Sequence, residues 1–352
     1  MILFRVDGNK QIGSGHIMRC LSIADCAAAY YGEQCVFLIA SKHLKEAIIK
    51  HGHEVVILDT FYDNMGTDLI LTQAWIKQNR PTTIIVDSYY VSKQYLLSLQ
   101  QFCIESAALL VYIDDLLAFP YPCDILINYN LYALDKENEY KHMYQTASTP
   151  KFLLGPSYMP LRAEFQNIGR RNVNIIAKNI LISTGGADSC HIALSLAKQI
   201  ILYAEFLQNF HFHFIIGTMN EDAKEIQQMI HNSTLITLHF NLHKIAKLMQ
   251  HCDLAISAAG STLYELCATQ TPTITYILAD NQILGANAFE QRSIMKCAGD
   301  LRSLGNYKLV NTLLKECIQL ANDYTKRKNI AEQQRKIVDG MGAKRICFSL
   351  NG

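Results

Sequence analysis

The side chains able to do chemistry in this 352-residue chain fall in three short runs of small and polar residues. The first is Arg5-Val6-Asp7-Gly8, followed shortly by Gly13-Ser14-Gly15-His16-Ile17-Met18-Arg19. Gly13 and Gly15 permit tight turns, and a helix starting near His16 would aim its free N–H groups at whatever sits there. The positive end of a helix disfavours an imidazolium, so His16 is expected as a neutral ring. A neutral imidazole can take a proton from water as a general base, a service worth about 100- to 10,000-fold in rate. The plainer reading makes His16 a helix start beside a flexible turn. Asp7 can orient His16, hold a ligand hydroxyl or serve the turn, and Arg19 can bind substrate or sit in an ion pair. A dinucleotide fingerprint needs a third glycine where Met18 stands, and an acidic residue where the second strand ends in Ser41-Lys42. A nicotinamide cofactor is therefore disfavoured.

The second and third runs are Ser183-Thr184-Gly185-Gly186-Ala187-Asp188-Ser189 and Ser257-Ala258-Ala259-Gly260-Ser261-Thr262-Leu263-Tyr264-Glu265. Their small residues let backbone amides approach an anion closely. Neither fits the pattern of an ATP-hydrolysing phosphate loop. Glu265, one turn past Gly260-Ser261-Thr262, can accept both hydroxyls of a ribose whose diphosphate the amides hold; as a plain helix residue it would suit the dipole. Asp280-Asn281-Gln282 follows a strand signal, and Gly217-Thr218-Met219 follows another that could line a base pocket.

Such loops need strands to end on and helices to open. Short β-branched runs at 3–6, 35–39, 55–58, 83–86, 109–113 and 125–127 alternate with helical stretches at 17–31, 42–51, 69–79 and 92–104. A second series places strands at 180–183, 213–216, 235–238, 254–256 and 273–276, with helices at 190–203, 223–231, 243–250 and 262–268. Runs without strict alternation suit strands buried on both faces of a parallel sheet, and the order is that of doubly wound α/β domains. We expect a first domain over 1–160, a linker over 161–178, a second domain over 179–300 and a helical extension over 301–352. Helices are expected there at 308–322 and 324–338, with no docking site legible. Ligands bind beyond strand carboxyl ends, so a cleft between the domains is the expected site.

Composition narrows the partners. A net charge of +1 offers no basic excess for a run of phosphates, which disfavours nucleic acid. No apolar run is long enough for stable membrane insertion, and no basic segment precedes the first strand signal, so a cytoplasmic protein is expected. The 11 cysteines show no C-x-x-C spacing and read as reduced, structural thiols. A monomer is the default, with no cofactor and no metal.

Taken together, the loops resemble a known family. Arg5-x-Asp7, Gly13-x-Gly15-His16-x-x-Arg19, Ile113-Asp114-Asp115, Cys123-Asp124 and Asn128-Tyr129-Asn130 follow its order. So do Leu154-Gly155-Pro156-x-Tyr158, Leu161-Arg162-x-Glu164-Phe165, Ser183-x-Gly185-Gly186-x-Asp188, Ala259-Gly260-Ser261-Thr262-x-x-Glu265 and Ala279-x-Asn281-Gln282. These are similar to the hydrolases of pseudaminic acid biosynthesis that act on UDP-2,4-diacetamido-2,4,6-trideoxy-β-L-altropyranose, in a wider family with spore-coat polysaccharide proteins. The resemblance implies a GT-B-like fold related to the MurG-type glycosyltransferases: two Rossmann-like, doubly wound parallel-sheet domains. It also implies metal-independent hydrolysis of a UDP-sugar at its anomeric carbon with inversion. His16 would act as base, helped by Asn281. Asp7, Gly13, Gly15, Arg19, Asp87, Tyr89 and Gln282 would bind the sugar side. Gly185, Gly186, Gly217, Gly260, Ser261, Thr262 and Glu265 would bind the nucleotide.

The sequence departs from the family's Asp-His-Tyr by carrying Asp87-Ser88-Tyr89-Tyr90, and its stretch 116–122 is more apolar. Both bear on which sugar is recognised. The alternatives are a GT-B glycosyltransferase with an acceptor hydroxyl in place of water, and a non-enzymatic nucleotide-sugar binder of envelope polysaccharide assembly.

Overall fold

A computed structural model describes residues 1–145, 148–240, 242 and 244–351. The chain forms two units, Met1–Ala163 with Met341–Gly352, and Glu164–Gly340.

The first unit is built on seven parallel strands: β1 (Ile2–Val6), β2 (Cys35–Ile39), β3 (Glu54–Ile57), β4 (Thr83–Asp87), β5 (Leu109–Ile113), β6 (Ile125–Asn128) and β7 (Lys151–Leu154). Their order is β3-β2-β1-β4-β5-β6-β7. Strands β1, β2 and β4 are buried along their whole length, as their unbroken apolar runs require. The order reverses between β1 and β4, which pair from Ile2 with Thr83 to Val6 with Asp87. The loops after these two strands therefore leave a crevice at the carboxyl edge.

The second unit repeats the plan with β8 (Asn179–Ser183), β9 (His211–Ile216), β10 (Ile236–Phe240), β11 (Leu254–Ala258), β12 (Thr273–Ile277) and β13 (Lys296–Asp300). All are parallel, in the order β10-β9-β8-β11-β12-β13, with the reversal between β8 and β11. The doubly wound parallel-sheet class read from the sequence is the one observed. Two edge strands, β7 and β13, escaped that reading. β7 is four residues long, and β13 carries Gly299 at φ +132 beside a shift of register against β12. The helix expected from His243 has its first residue outside the described residues; the observed helix is Ile245–His251.

The tail divides between the units. Helix Asn306–Asn322 sinks Leu309, Leu313, Cys317 and Leu320 into the core beneath β8, β11 and β12. After Gly340 the chain rejoins the first unit, where helix Gly342–Asn351 packs on helix Gly15–Tyr31. The Sγ of Cys347 lies 3.5 Å from the Ile23 carbonyl there, and the Lys344 ammonium sits 4.4 Å over the Tyr30 ring. A Cβ at Gly342 would stand 2.1 Å from the Met159 carbonyl oxygen, so only glycine lets that helix approach so closely. All 11 cysteines are unpaired. Among the described residues no helix is long and apolar enough to cross a membrane.

Candidate functional site

At the switch point of the first unit, His16 enters from the second residue of helix Gly15–Tyr31, and Asp87 closes β4. The His16 Nδ1 lies 2.5 Å from Asp87 Oδ1, with both side chains buried. Arg19, one turn further along the helix, forks onto the same carboxylate: Nη2 donates to Oδ1 at 2.5 Å and Nε to Oδ2 at 2.6 Å. Burial alone would raise the Asp87 carboxyl, but Arg19 and then His16 outweigh it and hold it below the usual carboxylate range. An ionised carboxylate can only accept, so Nδ1 carries a hydrogen, and in the neutral ring Nε2 is then the acceptor nitrogen. Among the described residues, none is hydrogen-bonded to Nε2.

The remaining partners fix this pair in place. Arg19 Nη1 donates to Asp115 Oδ2 at 2.7 Å and to the Tyr129 hydroxyl. Asn130 Nδ2 donates to Asp115 Oδ1 at 2.8 Å, and the Tyr89 hydroxyl to Oδ2 at 3.2 Å. The Tyr89 ring meets His16 edge-on, with centroids 4.4 Å apart. Burial would lower Arg19, yet Asp115 and Asp87 lift it well above its ordinary value, so it is a permanent cation. Its nitrogens are taken up by protein oxygens, which makes Arg19 a clamp on the site.

Asp7 turns away. Its Oδ2 accepts from Arg5 Nη1 at 2.5 Å and its Oδ1 from the Ala40 amide at 2.6 Å, while Arg5 also binds the buried Asp68. Of the roles weighed for Asp7, the bond to His16 belongs to Asp87 in this structure. Gly13, at φ +75, closes a turn against Asn9 just ahead of Gly15. Asp115, Tyr129 and Asn130 were not among the expected site residues, although each follows a strand end and stands in the runs that carry the resemblance. Nothing local marked them, because their role depends on β5 lying next to β4 and β6 next to β5.

The second unit offers a different kind of site. Gly185 is at φ +91, and a Cβ at Gly217 would stand 2.1 Å from the Gly186 carbonyl oxygen. The loops after β8 and β9 therefore lie backbone on backbone. Asp188 accepts the amides of Ile192 at 3.1 Å and Ala193 at 2.8 Å, starting helix Ile192–Leu202 two residues later than expected. Burial pushes its carboxyl up to about 6, against the pull of those amides. Across the switch point, Gly260 and Ser261 lead into helix Thr262–Ala268, with Glu265 half-buried one turn in. Asn281 is exposed in the single turn Asp280–Gln282, and Gln282 accepts the Leu278 amide at 2.8 Å. The structure thus gathers His16, Asp87, Arg19 and Tyr89 in one unit. In the other it gathers the three glycines and, beside them, the 260–265 loop. Among the described residues no group of three His, Cys, Asp or Glu side chains is arranged to hold a metal ion.

Residues 181–341 match the glycosyltransferase family 28 C-terminal domain. Solved structures with the same fold include Acinetobacter baumannii MurG, at a TM-score of 0.65 and 11% identity over 99% of both chains. Arabidopsis thaliana UGT89C1 complexed with UDP reaches 0.68 at 9% identity, again over 99% of both. The fold of the chain is thus of the GT-B kind.

Sequence relatives sharpen this. The chain is 31% identical over 218 residues to the Helicobacter pylori pseudaminic acid cytidylyltransferase and UDP-2,4-diacetamido-2,4,6-trideoxy-β-L-altropyranose hydrolase, covering 60% of this chain and 37% of that one. It is 26% identical to the Campylobacter jejuni hydrolase of the same sugar nucleotide, over 75% of this chain and 86% of that one. To the Bacillus subtilis spore coat polysaccharide biosynthesis protein SpsG it is 22% identical, over 98% and 96%. It spans 55% of an uncharacterized Methanocaldococcus jannaschii protein at 23% identity over 79% of this chain, so two of these relatives are much longer. The resemblance read from the loops is borne out by these matches.

Proposed function

We propose that this protein hydrolyses a UDP-linked acetamido or deoxy sugar at its anomeric carbon, with His16 as the general base. The observation that carries the reading is the Asp87–His16 pair, with Nδ1 committed to the carboxylate and Nε2 left as a proton acceptor. Water gives a proton to Nε2 as its oxygen bonds to the anomeric carbon, and the bond to the diphosphate breaks with inversion. UDP leaves with the bonding electrons. Asp87 stabilises the imidazolium that forms, as the carboxylate of a catalytic triad does. The backbone of Gly185-Gly186, Gly217 and Gly260-Ser261-Thr262 takes the nucleotide side, with Glu265 on the ribose and Asn281 toward the sugar or water.

The test is UDP release from candidate UDP-sugars with no acceptor present, together with the anomer first formed. His16→Ala is expected to lower turnover about 100- to 10,000-fold while UDP still binds. Wild-type turnover in that variant would discard the base. A second reading, transfer to an acceptor hydroxyl in envelope polysaccharide assembly, is favoured by the family 28 match over 181–341. It predicts UDP release only after an acceptor is added.

A further inference from the structure

We propose that Tyr62 and Tyr90 form an apolar subsite that selects sugars bearing methyl groups, acetamido or 6-deoxy; this rests on the UDP-sugar reading above. Strands β2 and β1 lie between β3 and β4 in the sheet. Yet Tyr62, after β3, and Tyr90, after β4, meet edge to face with ring centroids 5.6 Å apart. Three inter-strand spacings amount to about 14 Å, so the contact requires the loop after β3 to reach across toward the ends of β2 and β1. The helices that follow the two loops, Leu69–Asn79 and Lys93–Ser106, pack beside one another and so bring the loops together. The pair therefore stands at the carboxyl edge of the sheet, bordering the crevice between β1 and β4 where open sheets take ligands.

The loop that presents Tyr90 is fixed in advance. The Tyr112 hydroxyl donates to the Ser88 carbonyl at 2.9 Å, the Tyr90 amide to Ser88 Oγ at 3.1 Å, and the Tyr95 amide to Ser92 Oγ at 3.1 Å. One residue of this loop, Tyr89, touches His16, and the next, Tyr90, is 44% exposed with its ring on Tyr62. Phe61, beside Tyr62, is 67% exposed. A single exposed aromatic needs no explanation. Two rings in edge-to-face contact, one of them on a pinned loop beside the proposed base, offer a preformed apolar surface at little entropic cost. Ser88 is turned inward to hold the loop, so the side chain at 88 is not the one that meets a ligand here. The C–H and methyl groups of a deoxy or acetamido sugar suit the faces of these rings, whereas a hydroxymethyl group gains less from them.

The test measures kcat and KM for UDP release from UDP-glucose, UDP-N-acetylglucosamine and a UDP-2,4-diacetamido-2,4,6-trideoxyhexose, with the Kd of UDP alone by calorimetry. Tyr90→Ala and Tyr62→Ala are each expected to raise KM about tenfold for the sugar richest in methyl groups, the scale of a lost apolar contact. Tyr90→Phe should keep the wild-type value, and the Kd of UDP should hold throughout. A preference among the three sugars that survives both alanine variants overturns the subsite. So does a fall in kcat equal on all three with KM unchanged, which would mark Tyr90 as a prop for the Asp87 loop. Wild-type protein that neither binds nor cleaves any of the three sinks the UDP-sugar reading itself, an outcome recognised before any variant is made.

Discussion

The two switch points share a topology and little else. In the first unit the crevice between β1 and β4 is filled with charge: Asp87 and Arg19 are buried, Asp115 is half-buried, and both carboxylates bond Arg19, with His16 at the rim of the network. In the second unit the corresponding loops after β8 and β11 are built from Ser, Thr, Gly and Ala, with Asp188 turned back to start its own helix. Under the proposed function, one sheet end would move a proton and the other would let backbone approach an anion. The difference teaches that a doubly wound plan fixes where a site is, while the residues just past each strand fix what it does.

Asp87→Asn should break the comparison most severely. An amide can offer its N–H₂ to Nδ1, favouring the wrong tautomer, and it removes the charge opposite Arg19. We expect turnover to fall about 10,000-fold, as in triads where the carboxylate becomes an amide, and the melting temperature to drop because a buried cation loses its partner. Steady-state turnover with a thermal melt checks both, and retained activity would mean the pair is structural.

Gly217→Ala probes the other end. The added Cβ would meet the Gly186 backbone at 2.1 Å, so one loop must move. Affinity for UDP is expected to fall at least about tenfold, with overpacking costing about 1–3 kcal/mol of stability. Calorimetry with UDP reads the first, and unchanged affinity would remove the 183–189 loop from the nucleotide site.

The smallest effect contrasts the two aspartates by pH. Asp87 is held low, so its stabilisation is present above the unfolded carboxylate pKa of about 4 and is lost as pH falls through its depressed folded value. Asp188 is raised to about 6, so its contribution is greatest below about pH 4 and is lost as pH rises through 6. An asparagine side chain in its place could still accept one of the two amides, and asparagine tolerates the local φ of +49. Asp188→Asn is therefore expected to recover about 1–2 kcal/mol at pH 7 relative to pH 4.5. Urea unfolding at the two pH values checks it; a variant that loses stability equally at both would contradict the assigned direction.

Much of this was legible in the residues. His16 announced itself because glycines flank it and a helix follows, and the unbroken apolar runs of β1, β2 and β4 could only be interior strands. Asp87 was marked as a sugar-side residue, but its bond to His16 was not foreseen, because 71 residues separate them and only the β1–β4 pairing joins them. Asp7 drew attention by its place just after β1, but its carboxylate accepts from Arg5 and the Ala40 amide, and it is Asp87 that bonds His16. The tail helix Gly342–Asn351 gave no hint of its partner, since its apolar face fits any packed surface equally well.

That tail has an outcome for how the molecule comes into being. The helix that carries His16 is covered by a segment 324 residues further along, as the contact between Ile23 and Cys347 records. A growing polypeptide would hold the apolar flank of helix 15–31 bare until ribosomal elongation had passed the whole intervening lobe. The packing of that helix is thereby completed only once residues 342–351 have emerged.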